Sequence, residues 1–193
     1  MLKKLAKTLV LLLAVLPFTS SADRGQYREY ETTGDWFSTI FHVNNTDYVR
    51  MGTPSRRTKN ASFVIDATRD SSLMQIIIVK TGDEIGDITS SSPIEDNCEL
   101  RVDTNPVFYS KCLISEDNLG MYITFDAGRL GDRFIEELKS GSVLRTRMGN
   151  DSQSVYDNFS LNGFSRAYDR AGILATEISA SGSGSGSDSD YFR

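Results

Sequence analysis

The chain holds one histidine, His42, and two cysteines, Cys98 and Cys112. These side chains are best able to act as base, nucleophile or metal ligand near neutral pH, so their scarcity narrows the chemistry. A lone histidine excludes a histidine-rich metal centre. Two cysteines without histidine neighbours do not make a zinc site. Cys98 and Cys112 are too widely spaced for a Cys-x-x-Cys redox pair. A Ser-His-Asp triad is formally open because serine and aspartate abound, yet no Gly-x-Ser-x-Gly turn accompanies it. His42 lies in an alternating segment, on the face opposite Phe41 and Val43, where a surface residue of a strand sits. Asp83, Glu84 and Asp87 bring carboxylates together, as in a hydrolase pair or a weak calcium site. Their spacing fits no EF-hand, and solvated loop charge is the simpler account. Glu136 and Glu137 fall on the polar side of a short helical pattern. No catalytic or metal-ligating residue follows from these patterns, and no cofactor is implied.

Arg56, Arg57 and Lys59 place three cations within four residues. The chain as a whole is acidic, with a net charge of −5 and a pI near 5.0. That balance disfavours nucleic acid and anionic membranes as partners. A small patch of opposite sign to the whole instead suits an unknown protein or an anionic envelope component such as lipopolysaccharide. The plainer account is a solvated loop. Tyr48, Tyr109 and Tyr122 read as strand residues rather than a sugar-binding platform.

The first 22 residues say where such a partner would be met. Lys3, Lys4 and Lys7 precede the apolar run Leu9–Leu16, Pro17 breaks it, and Ser20-Ser21-Ala22 supplies small residues before Asp23. This is the layout of a secretory signal peptide. The run is too short to cross about 30 Å of hydrocarbon as a helix, so no membrane-spanning segment is expected after cleavage. Cleavage before Asp23 removes three lysines and no acid, leaving a more acidic chain. The destination is the periplasm or the exterior. In such a compartment an even cysteine count suggests a disulfide between Cys98 and Cys112, with two separate buried thiols as the alternative.

The elements that must position these residues are mostly strands. Residues 23–35 are polar and read as a lead-in. Trp36–Val43 alternates as a first strand, and 44–60, with Gly52 and Pro54, reads as a loop. Ala61–Thr68 and Leu73–Lys80 form a hairpin around Arg69-Asp70-Ser71-Ser72. Residues 82–97 read as loop with one short strand near 85–88. Cys98–Val102, Val107–Ile114 and Gly120–Phe125 form a meander that puts the two cysteines on neighbouring strands. Asp132–Lys139 carries Phe134, Ile135 and Leu138 on one helical face, with Gly141 as its stop. Val143–Met148 and Val155–Leu161 pair around Gly149-Asn150-Asp151-Ser152. Asn162–Ala171 is a second helix, capped by Asn162, apolar at Phe164, Ala167, Tyr168 and Ala171, and ended by Gly172. The pattern predicts a mainly β protein, an antiparallel β-sandwich with two short helices near its C-terminus, over residues 36–175. Residues 176–193 end in a Gly/Ser-rich run that cannot bury enough apolar surface to order itself.

Several of these segments form a recognisable series: LRVDTNPV at Leu100–Val107, a strand ending at Cys112, FIEELKSGSVLRTRM at Phe134–Met148, and FSLNGFSRAYDRA at Phe159–Ala171. The series resembles the invasion-associated locus B family of exported bacterial proteins. That family runs through Asp, Cys, a helix with Leu-x-x-Gly, a strand, and Ser-Leu-x-Gly-Phe-x-x-Ala. Here the last motif is Ser160-Leu161-Asn162-Gly163-Phe164 with Ala167, and Trp36 matches the tryptophan that opens the domain. A type VI secretion-associated exported family has a similar plan and a similar Phe-x-Leu-x-Gly ending. Family members often carry further cysteines near the front, which this chain lacks. The resemblance implies a β-sandwich in the bacterial periplasm or envelope, working as an accessory or host-interaction factor. It brings no established reaction and no catalytic residues. An accessory role in a secretion system and an exported hydrolase with an unrecognised site are the alternative functions.

Overall fold

The computed structural model describes residues 26–43, 46–67, 72–79, 93–116, 120–125, 127–150 and 153–181. The leader 1–22, the short strand expected at 85–88 with Asp83, Glu84 and Asp87, and the tail from 182 lie outside these residues. Ten strands form one antiparallel sheet: β1 (Gln26–Thr33), β2 (Trp36–Val43), β3 (Thr46–Pro54), β4 (Ala61–Ala67), β5 (Ser72–Val79), β6 (Ile94–Val102), β7 (Phe108–Glu116), β8 (Gly120–Phe125), β9 (Val143–Asn150) and β10 (Gln153–Ser160). Helix α1 (Ala127–Ser140) lies between β8 and β9, and α2 (Phe164–Ser181) follows β10.

The strand order is β1-β2-β3-β4-β5-β8-β7-β6-β9-β10. The meander β6–β7–β8 is thus set in reverse, with β8 against β5 and β6 against β9. Helix α1 carries the chain across that meander and packs on it, the Phe134 ring meeting Phe108 at 5.0 Å. The sheet then turns back on itself. Ser55, just past β3, bridges to Phe159 of β10, and the Arg56 amide donates to the Asn158 carbonyl at 2.9 Å. The two layers so formed give the sandwich-like, mainly antiparallel fold with two late helices that the sequence predicts.

Phe63 sits in the core, with Trp36, Phe125 and Phe159 ring centroids at 6.2, 6.4 and 5.6 Å. Trp36 is tied down as well as packed: its Nε1 donates to the Ser160 carbonyl at 2.7 Å. A buried indole N–H without such an acceptor would cost about 1–3 kcal/mol. Cys98 and Cys112 form a disulfide between β6 and β7, with Cα atoms 5.9 Å apart. Their register partners are Ser110 and Asp96, so the bond runs diagonally across the ladder on the buried face. Closing a loop of about 15 residues stabilises the fold by roughly 3 kcal/mol in the chain-entropy account.

Several expectations need correction. Residues 94–97, expected as loop, form the start of β6 and pair with β7. The lead-in is not loose: residues 26–33 form β1, a largely exposed strand paired, among the described residues, only with β2. The loop expected at 44–60 contains β3, whose Val49 and Met51 point into the core. Gly52 misleads there because it marks close packing rather than a turn. A Cβ at that position would lie 2.8 Å from the Phe63 carbonyl oxygen. Helix α2 does not end at Gly172. It runs on to Ser181, because Leu174, Ala175 and Ile178 continue its apolar face. Residues 176–181, assigned to the tail, therefore belong to the domain. The cap of α2 is Gly163 rather than Asn162, since the Gly163 carbonyl accepts from Ala167 at 3.0 Å. Gly163 has φ +97°, and a Cβ there would collide with the Thr33 carbonyl.

Candidate functional site

The β3–β4 turn holds the three cations that the sequence singles out, and it is built as a rigid unit. The Ser55 hydroxyl accepts from the Arg57 and Thr58 amides at 2.9 and 2.7 Å. It donates in turn to the buried Asp157 carboxylate of β10, which also accepts from the Asn158 amide at 2.6 Å. The turn is thereby fastened to the seam where the sheet closes.

This arrangement separates the three cations. Arg56 turns to the seam. It donates to the Ser160 hydroxyl at 2.8 Å and approaches Asp35 at 3.3 Å. Ser160 donates to the same Asp35 carboxylate at 2.5 Å. Half of the Arg56 side chain is exposed, and its Nη2 is directed inward to structural partners. Arg57 lies over the Tyr156 ring, 6.0 Å from its centroid. Lys59 is exposed.

Register adds cations from distant parts of the chain. Tyr156 of β10 pairs with Arg147 of β9, whose guanidinium is 5.8 Å from the same ring. Arg147 also donates to Glu99 of β6 at 3.3 Å. One step along, Arg145 of β9 stands directly opposite Arg101 of β6. Arg145 donates to the Asp103 carbonyl at 2.7 Å. Arg101 and Arg145 are exposed, and Tyr156 is 46% exposed. The outer face of β6–β9–β10 is thus lined by arginines with an aromatic ring among them. Tyr109, opposite Glu99 on β7, extends it and is 74% exposed. Tyr48, Tyr109 and Tyr122 all lie on strands.

His42 meets an acid. Its Nδ1 is 2.7 Å from Asp47 Oδ1, directly across the β2–β3 ladder, and Arg28 donates to the other Asp47 oxygen at 2.7 Å. Partial desolvation works to raise the Asp47 pKa. The hydrogen bonds from His42 and Arg28 outweigh it and hold the carboxyl below its ordinary value. The pair is partly exposed on the sheet. Among the described residues, no serine or cysteine hydrogen-bonds to the imidazole, and no group of three or more His, Cys, Asp or Glu is placed to hold a metal ion. A groove lies between β1 and α2, and Arg170, one of its lining residues, is committed to structural partners. That side chain is bonded to Glu31 at 2.8 Å and to the Ser38 and Glu29 carbonyls at 3.1 and 2.5 Å.

The fold is similar to that of invasion associated protein B from Bartonella henselae. The match covers 77% of this chain and 97% of that one, with a TM-score of 0.50 and 17% sequence identity. At that identity the likeness shows the fold alone. No family model and no curated protein matches the sequence. No helix of the described residues is long and apolar enough to cross a membrane.

Proposed function

We propose that this chain is an exported bacterial envelope protein, similar in role to the invasion-associated B proteins, that acts by binding an anionic partner. The observation that carries the reading is the fixed, exposed pair Arg57 and Lys59 on an otherwise acidic chain. Such a patch attracts an anion locally while the body repels extended negative surfaces. The leader, the disulfide and the likeness to invasion associated protein B support export. Fractionation of the producing cell tests this half: the expected product lies outside the cytoplasm and begins at Asp23, and cytoplasmic retention of the intact chain overturns it. Binding to isolated envelope tests the other half. It should weaken as salt rises from about 0.01 M to about 1 M, which shortens the Debye length from about 30 to about 3 Å. Salt-independent binding overturns an exposed ionic contact.

A second reading, an exported hydrolase, is favoured by the His42–Asp47 pair, since a carboxylate that orients an imidazole is part of general-base chemistry. His42→Gln separates the two. Intact biological activity is expected if the protein works by binding. Loss of activity with unchanged envelope binding would favour the hydrolase.

A further inference from the structure

The Arg101–Arg145 pair sets two like charges directly opposite each other on the outer face. Like charges directly opposite each other across an antiparallel ladder are destabilising, by a few tenths of a kcal/mol or more. The chain accepts this cost between β6 and β9, on a face already carrying Arg147, with Arg57 of the turn over the same Tyr156 ring. Glu99 is set among them and accepts from Arg147 at 3.3 Å. An anion seated over Arg101 and Arg145 would relieve the repulsion and meet the donors of exposed Arg101 together with those that Arg145 does not give to the Asp103 carbonyl.

We infer that the outer face of β6–β9–β10, with the β3–β4 turn as its rim, is a docking surface for an extended acidic polypeptide segment. The inference rests on the anion-binding reading above and adds both the site and the occupant. Three observations select a polypeptide. First, Arg145 and Arg147 are two residues apart on one strand, so their side chains repeat at about 6.8 Å. Alternate carboxylates of an extended peptide repeat at the same distance, so successive acids can stand over successive guanidinium charges. Second, the face joins arginine to an exposed tyrosine, the two residue types that dominate protein–protein contacts. Third, the face is a small patch of sheet on a chain of net charge −5. A bilayer or a long polyanion would extend beyond the patch onto the acidic body. A segment lying within the patch feels mainly the arginines, because charges more than about 8 Å away are screened at physiological salt. Arg56 has no part in this surface, being committed to Ser160 and Asp35.

The test uses the exported full-length protein and three probes: a labelled peptide of about ten residues alternating Glu and Thr, to match the strand repeat, a soluble sulfated polysaccharide, and vesicles rich in anionic phospholipid. Two variants are compared with the wild type, Arg145→Glu/Arg147→Glu on the strand and Arg57→Glu/Lys59→Glu on the rim. Tm is measured for each. The wild type should bind the peptide in preference to the other probes. Both variants should lose affinity for it by about tenfold or more, as expected when charges in contact are reversed. If the strand variant fails to fold, the rim variant decides. Peptide binding unchanged in a folded variant overturns the site. Preference for the polysaccharide or the vesicles overturns the occupant but leaves anion binding standing. Binding to none of the three overturns the anion reading itself.

Discussion

Phe164 shows how much one side chain of the closing Ser-Leu-x-Gly-Phe motif contributes. It is fully buried, its ring 4.9 Å from Trp36 and 5.7 Å from Tyr168. Gly163 lets its backbone approach Thr33, and Trp36 is held by the Ser160 carbonyl, so motif and tryptophan form one contact. Phe164→Ala should therefore destabilise the protein by about 3–5 kcal/mol, because the ring leaves a cavity between the helix and the sheet. Denaturant melts of the two proteins check this. An unchanged midpoint would mean that this face of α2 does not pack as described. This part of the molecule was legible in the sequence, since Phe164, Ala167, Tyr168 and Ala171 recur at helical spacing. The role of Asn162 was not. A capping side chain and a backbone acceptor look alike in sequence, and here the Asn162 carbonyl accepts from the Asp35 amide at 2.9 Å.

At the scale of elements, strands with an uninterrupted alternating face were readable, and those that lack such a face or carry turn-type residues were not. Trp36–Val43 and Gly120–Phe125 have the bounds expected of them, because alternation set both ends. β1 shows little alternation because, among the described residues, it is paired on one side and largely exposed. Its edge is guarded against other strands by charge and by an irregularity in register between Arg28 and Glu31, where Glu29 takes φ +53°. Such a break blunts strand-to-strand aggregation. β3 was hidden by Gly52 and Pro54, which signal turns only when nothing packs against them. Helix α2 was cut short for a similar reason. A glycine within a helix costs about 1 kcal/mol relative to alanine, less than the roughly 1.5–3 kcal/mol gained by burying a leucine such as Leu174. A chain ending at Ala171 should accordingly lose about 3 kcal/mol or more, since it also removes the partly buried Ala175 and Ile178. Thermal melts against the full chain read this directly. An equal Tm would show that the second half of α2 contributes nothing to the domain.

The whole molecule depends on a closed seam, and the seam explains why the site was only partly visible in sequence. The turn cations are neighbours in the chain, so Arg56, Arg57 and Lys59 could be read together. Arg101, Arg145 and Arg147 join them only because β6, β9 and β10 are adjacent in the sheet, a fact of strand order that no local pattern carries. Closure also divides the turn by function. The Ser55–Asp157 contact and the Phe159 bridge fix its base. Arg56 ties it to Asp35 and Ser160, and Arg57 and Lys59 face outward. Arg56→Gln should therefore act on stability and not on binding. The half-exposed guanidinium is partly screened by solvent, so the loss should be about 1 kcal/mol, or about 2–4 °C in Tm for a domain of this size. Ser160 keeps its bond to Asp35 in that variant, which holds the seam closed. Arg57→Glu/Lys59→Glu should show the reverse: weaker anion binding with little change in Tm, because neither side chain holds the seam. Measuring both quantities on both variants tests the division. Weaker binding in Arg56→Gln at unchanged Tm would place that residue in the docking surface rather than in the seam.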